Sequence, residues 1–115
     1  MAGRQPSHAE ISALWDAWTP TEVARRLSNV TAPWCVTAGW ALNLFTENAT
    51  RAHDDVEIAV PALQFDQIID ALPGFEWDVV GDGRIWPYPE QRTRHFQTWL
   101  RDPVSGRYRL DVFRE

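Results

Sequence analysis

Three acidic residues occupy strand positions that suit the binding of a divalent cation. Asp55 and Glu57 are two residues apart at the start of an apolar run, and an extended strand directs side chains at this spacing to one face. Asp111 lies in a later strand pattern, where it alternates with Leu110 and Val112. Oxygen ligands of this kind suit Mg²⁺ or Mn²⁺. Such ions bridge carboxylates to triphosphate oxygens, and the third carboxylate can help to deprotonate an attacking hydroxyl.

A glycine turn precedes the first two carboxylates. Residues 34–38 predict a short strand, Gly39 breaks it, and residues 40–45 predict a short helix. Backbone N–H groups at the start of such a helix can meet an anion. Arg51, in the loop that follows, can neutralise charge on a departing pyrophosphate. Turn and carboxylates together indicate chemistry on a nucleoside triphosphate.

The remaining pattern predicts an α+β fold, in which helices pack on a mixed sheet of about five strands. Helices are expected from Ser7 to Trp18, from a cap at Thr19 to about Leu27, and from Pro61 to Leu72 with Leu63 on its apolar face. Strand patterns cover residues 34–38, 56–60, 76–80, 84–88, 95–101 and 107–113. Pro87 and Pro89 restrict the fourth of these to a sheet edge.

Composition narrows the class of protein. The chain has 115 residues, 44% of them hydrophobic, which predicts one globular domain over residues 1–115. A net charge of −5 without a basic run argues against a nucleic-acid-binding role. No apolar run of membrane length and no signal-peptide pattern occurs, so a cytoplasmic protein with no membrane partner is expected.

Two further residue types bear on packing. The single cysteine, Cys35, excludes an internal disulfide and is expected to be an inert thiol in a buried strand. Seven tryptophans are many for this length, and we expect them in core and rim packing.

The order and spacing of the motifs resemble a known superfamily. The residues concerned are Ala38-Gly39-Trp40 and Thr50-Arg51-x-His53-x-Asp55-Val56-Glu57-Ile58. They are similar to the nucleotidyltransferases of the DNA polymerase β type, above all to the aminoglycoside 2″-nucleotidyltransferase and lincosamide nucleotidyltransferase group. The resemblance covers residues 34–60 well, and Asp111 matches the later strand aspartate more loosely.

The resemblance implies a nucleotidyltransferase fold and assigns roles to particular residues. It makes Asp55, Glu57 and Asp111 the catalytic carboxylates and the metal ligands. The residues implied at the nucleotide are Ala38, Gly39, Trp40, Arg51 and His53.

Several positions depart from the family pattern. Ala38 replaces the first glycine, Asn43 replaces an aspartate, and Glu57 is one methylene longer than the usual aspartate. The chain also ends four residues after Asp111, whereas the relatives continue into a C-terminal region that helps to hold the substrate. A shortened form, a minimal form completed by homo-oligomerisation and a degenerate copy are the alternatives.

Three functions follow from these residues. The first is a nucleotidyltransferase that uses Mg²⁺ or Mn²⁺ to move a nucleoside monophosphate from a triphosphate, with ATP expected, to a small-molecule hydroxyl; the relatives suggest an antibiotic as acceptor. The second is a non-catalytic domain of the same fold that binds a nucleotide or a protein partner. The third is a metal-dependent phosphodiesterase that uses the same carboxylates.

Overall fold

The computed structural model describes residues 3–37 and 56–115, and its centre is a mixed β-sheet. The strands are β1 (Cys35–Thr37), β2 (Glu57–Val60), β3 (Glu76–Gly81), β4 (Arg84–Pro87), β5 (Gln97–Arg101) and β6 (Tyr108–Arg114). The helices are α1 (His8–Leu14), α2 (Pro20–Arg26) and α3 (Phe65–Ala71), and a 3-10 turn (Ala62–Gln64) precedes α3.

The strands follow the order β1-β2-β6-β5-β3-β4. Only β2 and β6 pair in parallel among the strands described, and their neighbours pair antiparallel. This arrangement confirms the α+β class, with six strands rather than about five. The β3–β4 hairpin contributes two of the six strands. Its strand β4 lies at the sheet edge, as expected from Pro87.

The main core lies on one face of the sheet, under α2 and α3. The alternating strand residues Ile58, Leu110 and Val112 are fully buried there. Val23 of α2 and Ile68 of α3 pack against them. Because side chains alternate along a strand, Asp111 is directed to the opposite face.

The opposite face carries a second, smaller core beneath α1. Ile11, Leu14 and Trp15 pack against Val80 and Tyr108. The expected packing role of tryptophan is confirmed for the six that the structure describes. Trp77 and Trp86 are buried, and the partly buried ones packed against the two cores are Trp15, Trp18, Trp34 and Trp99.

Side-chain caps set the helix starts as predicted. Ser7 and Glu10 form a reciprocal capping box at α1, and Thr19 caps α2 by accepting the Glu22 amide at 3.2 Å. The side-chain carboxylate of Glu22 binds Arg25 and Arg26, which follow it on the same helix. These hydrogen bonds lower the Glu22 pKa to about 2.

The predicted helix from Ser7 to Trp18 is too long, because α1 ends at Leu14. Trp15 is extended and forms a β-bridge with Tyr108. The amides of Asp16 and Trp18 then bond carbonyls of Tyr108 and Arg109 at 3.0 and 2.9 Å. These bonds to β6 satisfy backbone groups that a longer helix would have used internally.

Two burial predictions are wrong. Cys35 is exposed, because Val36 takes the core-facing position of the edge strand β1 and leaves Cys35 on the other face. Leu63 is fully exposed, because the segment after Pro61 begins as a 3-10 turn rather than as the first turn of α3. The different periodicity takes Leu63 out of line with the buried stripe of that helix.

Arg114 attaches the chain segment before β5 to the sheet. Its side chain is 4% exposed and donates to Thr98 Oγ1 at 2.6 Å and to the carbonyls of Arg92 and His95 at 3.1 and 2.5 Å. Burial lowers the pKa of this guanidinium.

Within the described ranges, no helix has the length and apolarity needed to cross a bilayer.

Candidate active site

Parallel pairing of β2 and β6 places two of the acidic residues side by side. Glu57 and Asp111 are register partners, and the Asp111 amide donates to the Val56 carbonyl at 2.9 Å. Both side chains therefore lie on the sheet face opposite the main core. Asp111 is fully buried, since β6 runs between β2 and β5, and Glu57 is half-buried.

Each carboxylate accepts a hydrogen bond from the strand on its outer side. Thr37 of β1 donates its hydroxyl to Glu57 Oε1 at 2.5 Å. Gln97 of β5 donates its amide nitrogen to Asp111 Oδ2 at 2.7 Å. Four neighbouring strands thus contribute one side chain each to a polar row, which we call the carboxylate row: Thr37, Glu57, Asp111 and Gln97.

The other residues assigned by resemblance lie outside the described residues. They are Asp55, Ala38, Gly39, Trp40, Arg51 and His53, together with the helix predicted over residues 40–45. Their metal-binding and nucleotide-binding roles stay predictions.

The chemistry of the carboxylate row fits a divalent cation. Glu57 and Asp111 are hard oxygen donors on adjacent strands, and the side chains that donate to them, Thr37 and Gln97, carry no charge. Within residues 3–37 and 56–115, no cluster of three or more His, Cys, Asp or Glu side chains is placed to hold a metal. This part of the chain therefore supplies two of the three carboxylates that were predicted as ligands.

A second polar group lies on the same face, over β3, β5 and β6. Asp78, 4% exposed, accepts from the Tyr108 hydroxyl at 2.7 Å and from Arg101 Nε at 3.1 Å. Arg101 also bonds Glu76 at 2.7 Å. Burial and the Asp78 carboxylate raise the Tyr108 pKa, and Asp78 likewise raises that of Arg101. We call this set the Asp78 cluster; it borders an open cavity of about 760 Å³ near Trp86.

Thr37 and Gln97 were not predicted as site residues. The sequence does hold a weak signal, because each lies in a strand pattern: Thr37 stands between Val36 and Ala38, and Gln97 follows Phe96. Their contacts depend on strand order, which sequence alternation does not specify.

An α+β sheet with neighbouring carboxylates on two parallel strands is the arrangement expected of a nucleotidyltransferase domain. A family model described as aminoglycoside-2″-adenylyltransferase matches residues 21–94, and the chain belongs to that family. The match includes Glu57 and ends before β6, which carries Asp111. No curated protein and no solved structure matches the chain in the corresponding comparisons.

Proposed function

We propose that the chain is a divalent-metal-dependent nucleotidyltransferase that moves AMP from ATP to a hydroxyl group of a small molecule of the aminoglycoside class. The observation that carries the proposal is the placement of Glu57 beside Asp111 on parallel strands. Membership of an adenylyltransferase family supports ATP as the donor and an aminoglycoside as the acceptor.

The carboxylates have separable roles in this proposal. Glu57 and Asp111 would hold Mg²⁺ or Mn²⁺ together with Asp55, and the bound ion would supply charge stabilisation at the phosphate oxygens. Asp111 would also accept the proton of the attacking hydroxyl. A bond forms between that hydroxyl oxygen and the α-phosphorus, and the bond from the α-phosphorus to the oxygen shared with the β-phosphorus breaks. Pyrophosphate then leaves.

The glycine turn and the loop after it complete the nucleotide end of the proposed site. Backbone amides around Ala38, Gly39 and Trp40 would bind the phosphates. Arg51 and His53 would shape the nucleotide end, and the Arg51 charge would stabilise the leaving pyrophosphate.

A non-catalytic nucleotide-binding domain is the second candidate. Ala38 in place of the first glycine and Glu57 in place of aspartate favour it, because both change groups that would contact phosphate or metal. It predicts ATP binding without turnover.

The test is a transfer assay with ATP, Mg²⁺ and a panel of aminoglycosides, scored by pyrophosphate release and by the mass of the adenylated acceptor. We expect transfer that requires Mg²⁺ and is lost in Asp111→Asn. Asp70→Asn, an exposed carboxylate on α3, is the matched control and should retain activity. ATP binding without transfer to any acceptor would support the second candidate instead.

A further inference from the structure

We propose that Thr37 and Gln97 are positioning residues that hold the two site carboxylates in the orientation needed to bind a divalent cation. This inference rests on the proposed function, since it concerns the same site. It assigns a role to both ends of the carboxylate row, whereas the resemblance assigned roles within that row only to Glu57 and Asp111.

The first observation is the order of donors and acceptors across the sheet. The strands β1, β2, β6 and β5 are consecutive neighbours, and they carry the carboxylate row in the order donor, acceptor, acceptor, donor. Each outer donor bonds the acidic side chain on the strand next to its own. The two acidic side chains are thereby held from opposite sides.

The second observation is the reach of the two donors. Thr37 is the register partner of Glu57, so a short side chain is sufficient for contact at 2.5 Å. Gln97 is the register partner of Phe113, and its longer side chain reaches diagonally to Asp111 at 2.7 Å. Each side-chain length therefore suits the register position from which it acts.

The third observation is the chemistry of the donors. A hydroxyl and a primary amide orient a carboxylate oxygen but bring no positive charge that would compete with a cation. Thr37 is β-branched, which limits its side-chain rotation and favours a fixed hydrogen bond. Partners of this kind behind metal ligands commonly change metal affinity about 10- to 100-fold when they are removed.

The test measures Mn²⁺ affinity by the loss of the electron paramagnetic resonance signal of free Mn²⁺, on the full chain and without any activity assay. We expect Thr37→Val and Gln97→Met to weaken Mn²⁺ binding by about 10-fold each. Thr37→Ser keeps the hydroxyl, so its Mn²⁺ affinity should stay within about 2-fold of the wild-type value. A merely structural hydrogen bond would instead leave Mn²⁺ affinity unchanged.

Matched controls come from a hydrogen-bonded pair that lies away from the carboxylate row. Thr31 donates to Gln67 at 2.9 Å, so Thr31→Val and Gln67→Met remove the same chemical groups elsewhere. Both should bind Mn²⁺ as wild type does. Should Gln97→Met fail to fold, Gln97→Asn shortens the same side chain and carries the same expectation.

The outcomes separate this inference from the proposed function. Wild-type Mn²⁺ affinity in both Thr37→Val and Gln97→Met, with loss of binding in Asp111→Asn, would overturn the positioning role and leave the proposed function intact. Absence of Mn²⁺ binding by the wild-type chain would overturn both. Weaker binding in both variants, with recovery in Thr37→Ser, supports the inference.

Discussion

The sheet face opposite the main core carries two polar groups whose acidic side chains have different partners. In the Asp78 cluster, the acid bonds Arg101 and the buried Tyr108 hydroxyl. In the carboxylate row, Glu57 and Asp111 are adjacent and accept from Thr37 and Gln97. The acid of one set bonds an arginine of the same sheet, whereas the other set places two acidic side chains on adjacent strands.

Under the proposed function, this difference separates a stabilising arrangement from a metal-binding one. A buried acid bonded to a cation and a hydroxyl is expected to stabilise the sheet, because loss of the acid leaves buried groups without their partner. Ionised carboxylates on adjacent strands repel each other, and a cation that binds between them relieves this repulsion. We therefore expect substitutions in the Asp78 cluster to affect stability and substitutions in the carboxylate row to affect activity.

The largest effect is expected at Asp111. Asp111→Asn should lower the transfer rate by about 10³-fold, because it removes a proton acceptor and a metal ligand at once. Pyrophosphate release at saturating ATP measures the rate, and thermal unfolding verifies that the variant is folded. A variant with activity close to wild type would contradict the role given to the carboxylate row.

In the Asp78 cluster, Asp78→Ala should cost about 3 kcal/mol of unfolding free energy, because it leaves the buried Tyr108 hydroxyl without its acceptor and removes the buried partner of Arg101. Urea denaturation measures the change. Glu76→Ala removes the more exposed partner of Arg101 and should cost at most about 0.5 kcal/mol. An equal loss of unfolding free energy in the two variants would contradict the stabilising role given to Asp78.

Stability at alkaline pH should report on Tyr108. Its pKa is raised above the ordinary value of 10.0 by burial and by Asp78, so the folded state holds the phenolic proton more tightly than the unfolded state. The stabilisation is fully present below pH 10.0 and is lost as the pH rises through the folded-state pKa.

Urea midpoints measured across this alkaline range should fall for wild type and fall less for Tyr108→Phe. All 11 basic residues are arginine, so no lysine titration obscures the result. An identical pH dependence in the two proteins would exclude Tyr108 as the source.

The smallest effect concerns Cys35, which is exposed on the edge strand β1. We expect it to react with a thiol reagent such as DTNB in the native chain, with little change in stability. A requirement for denaturant before labelling would show that the thiol is protected.

Local patterns predicted most of the sheet. The alternation of Leu110 and Val112 with Asp111 set the face of that acid correctly, because a strand with one apolar face has its register fixed by burial. The caps at Ser7 and Thr19 set helix starts for a similarly local reason, since cap and amide are three residues apart.

Features that depend on distant partners were not predicted. The end of α1 follows from hydrogen bonds between residues 16–18 and β6, and the exposure of Cys35 follows from the position of β1 at the edge. The contacts of Thr37 and Gln97 need the strand order and register. None of these can be obtained from periodicity within one segment.

The most direct test of the central claim is calorimetric titration of the chain with ATP, with and without Mg²⁺, alongside Glu57→Gln. The proposed function predicts ATP binding that requires Mg²⁺ and is lost or strongly weakened in Glu57→Gln, because that carboxylate would hold the ion. ATP binding of equal strength in both proteins, or no binding at all by wild type, would contradict the claim that the carboxylate row is a metal–nucleotide site.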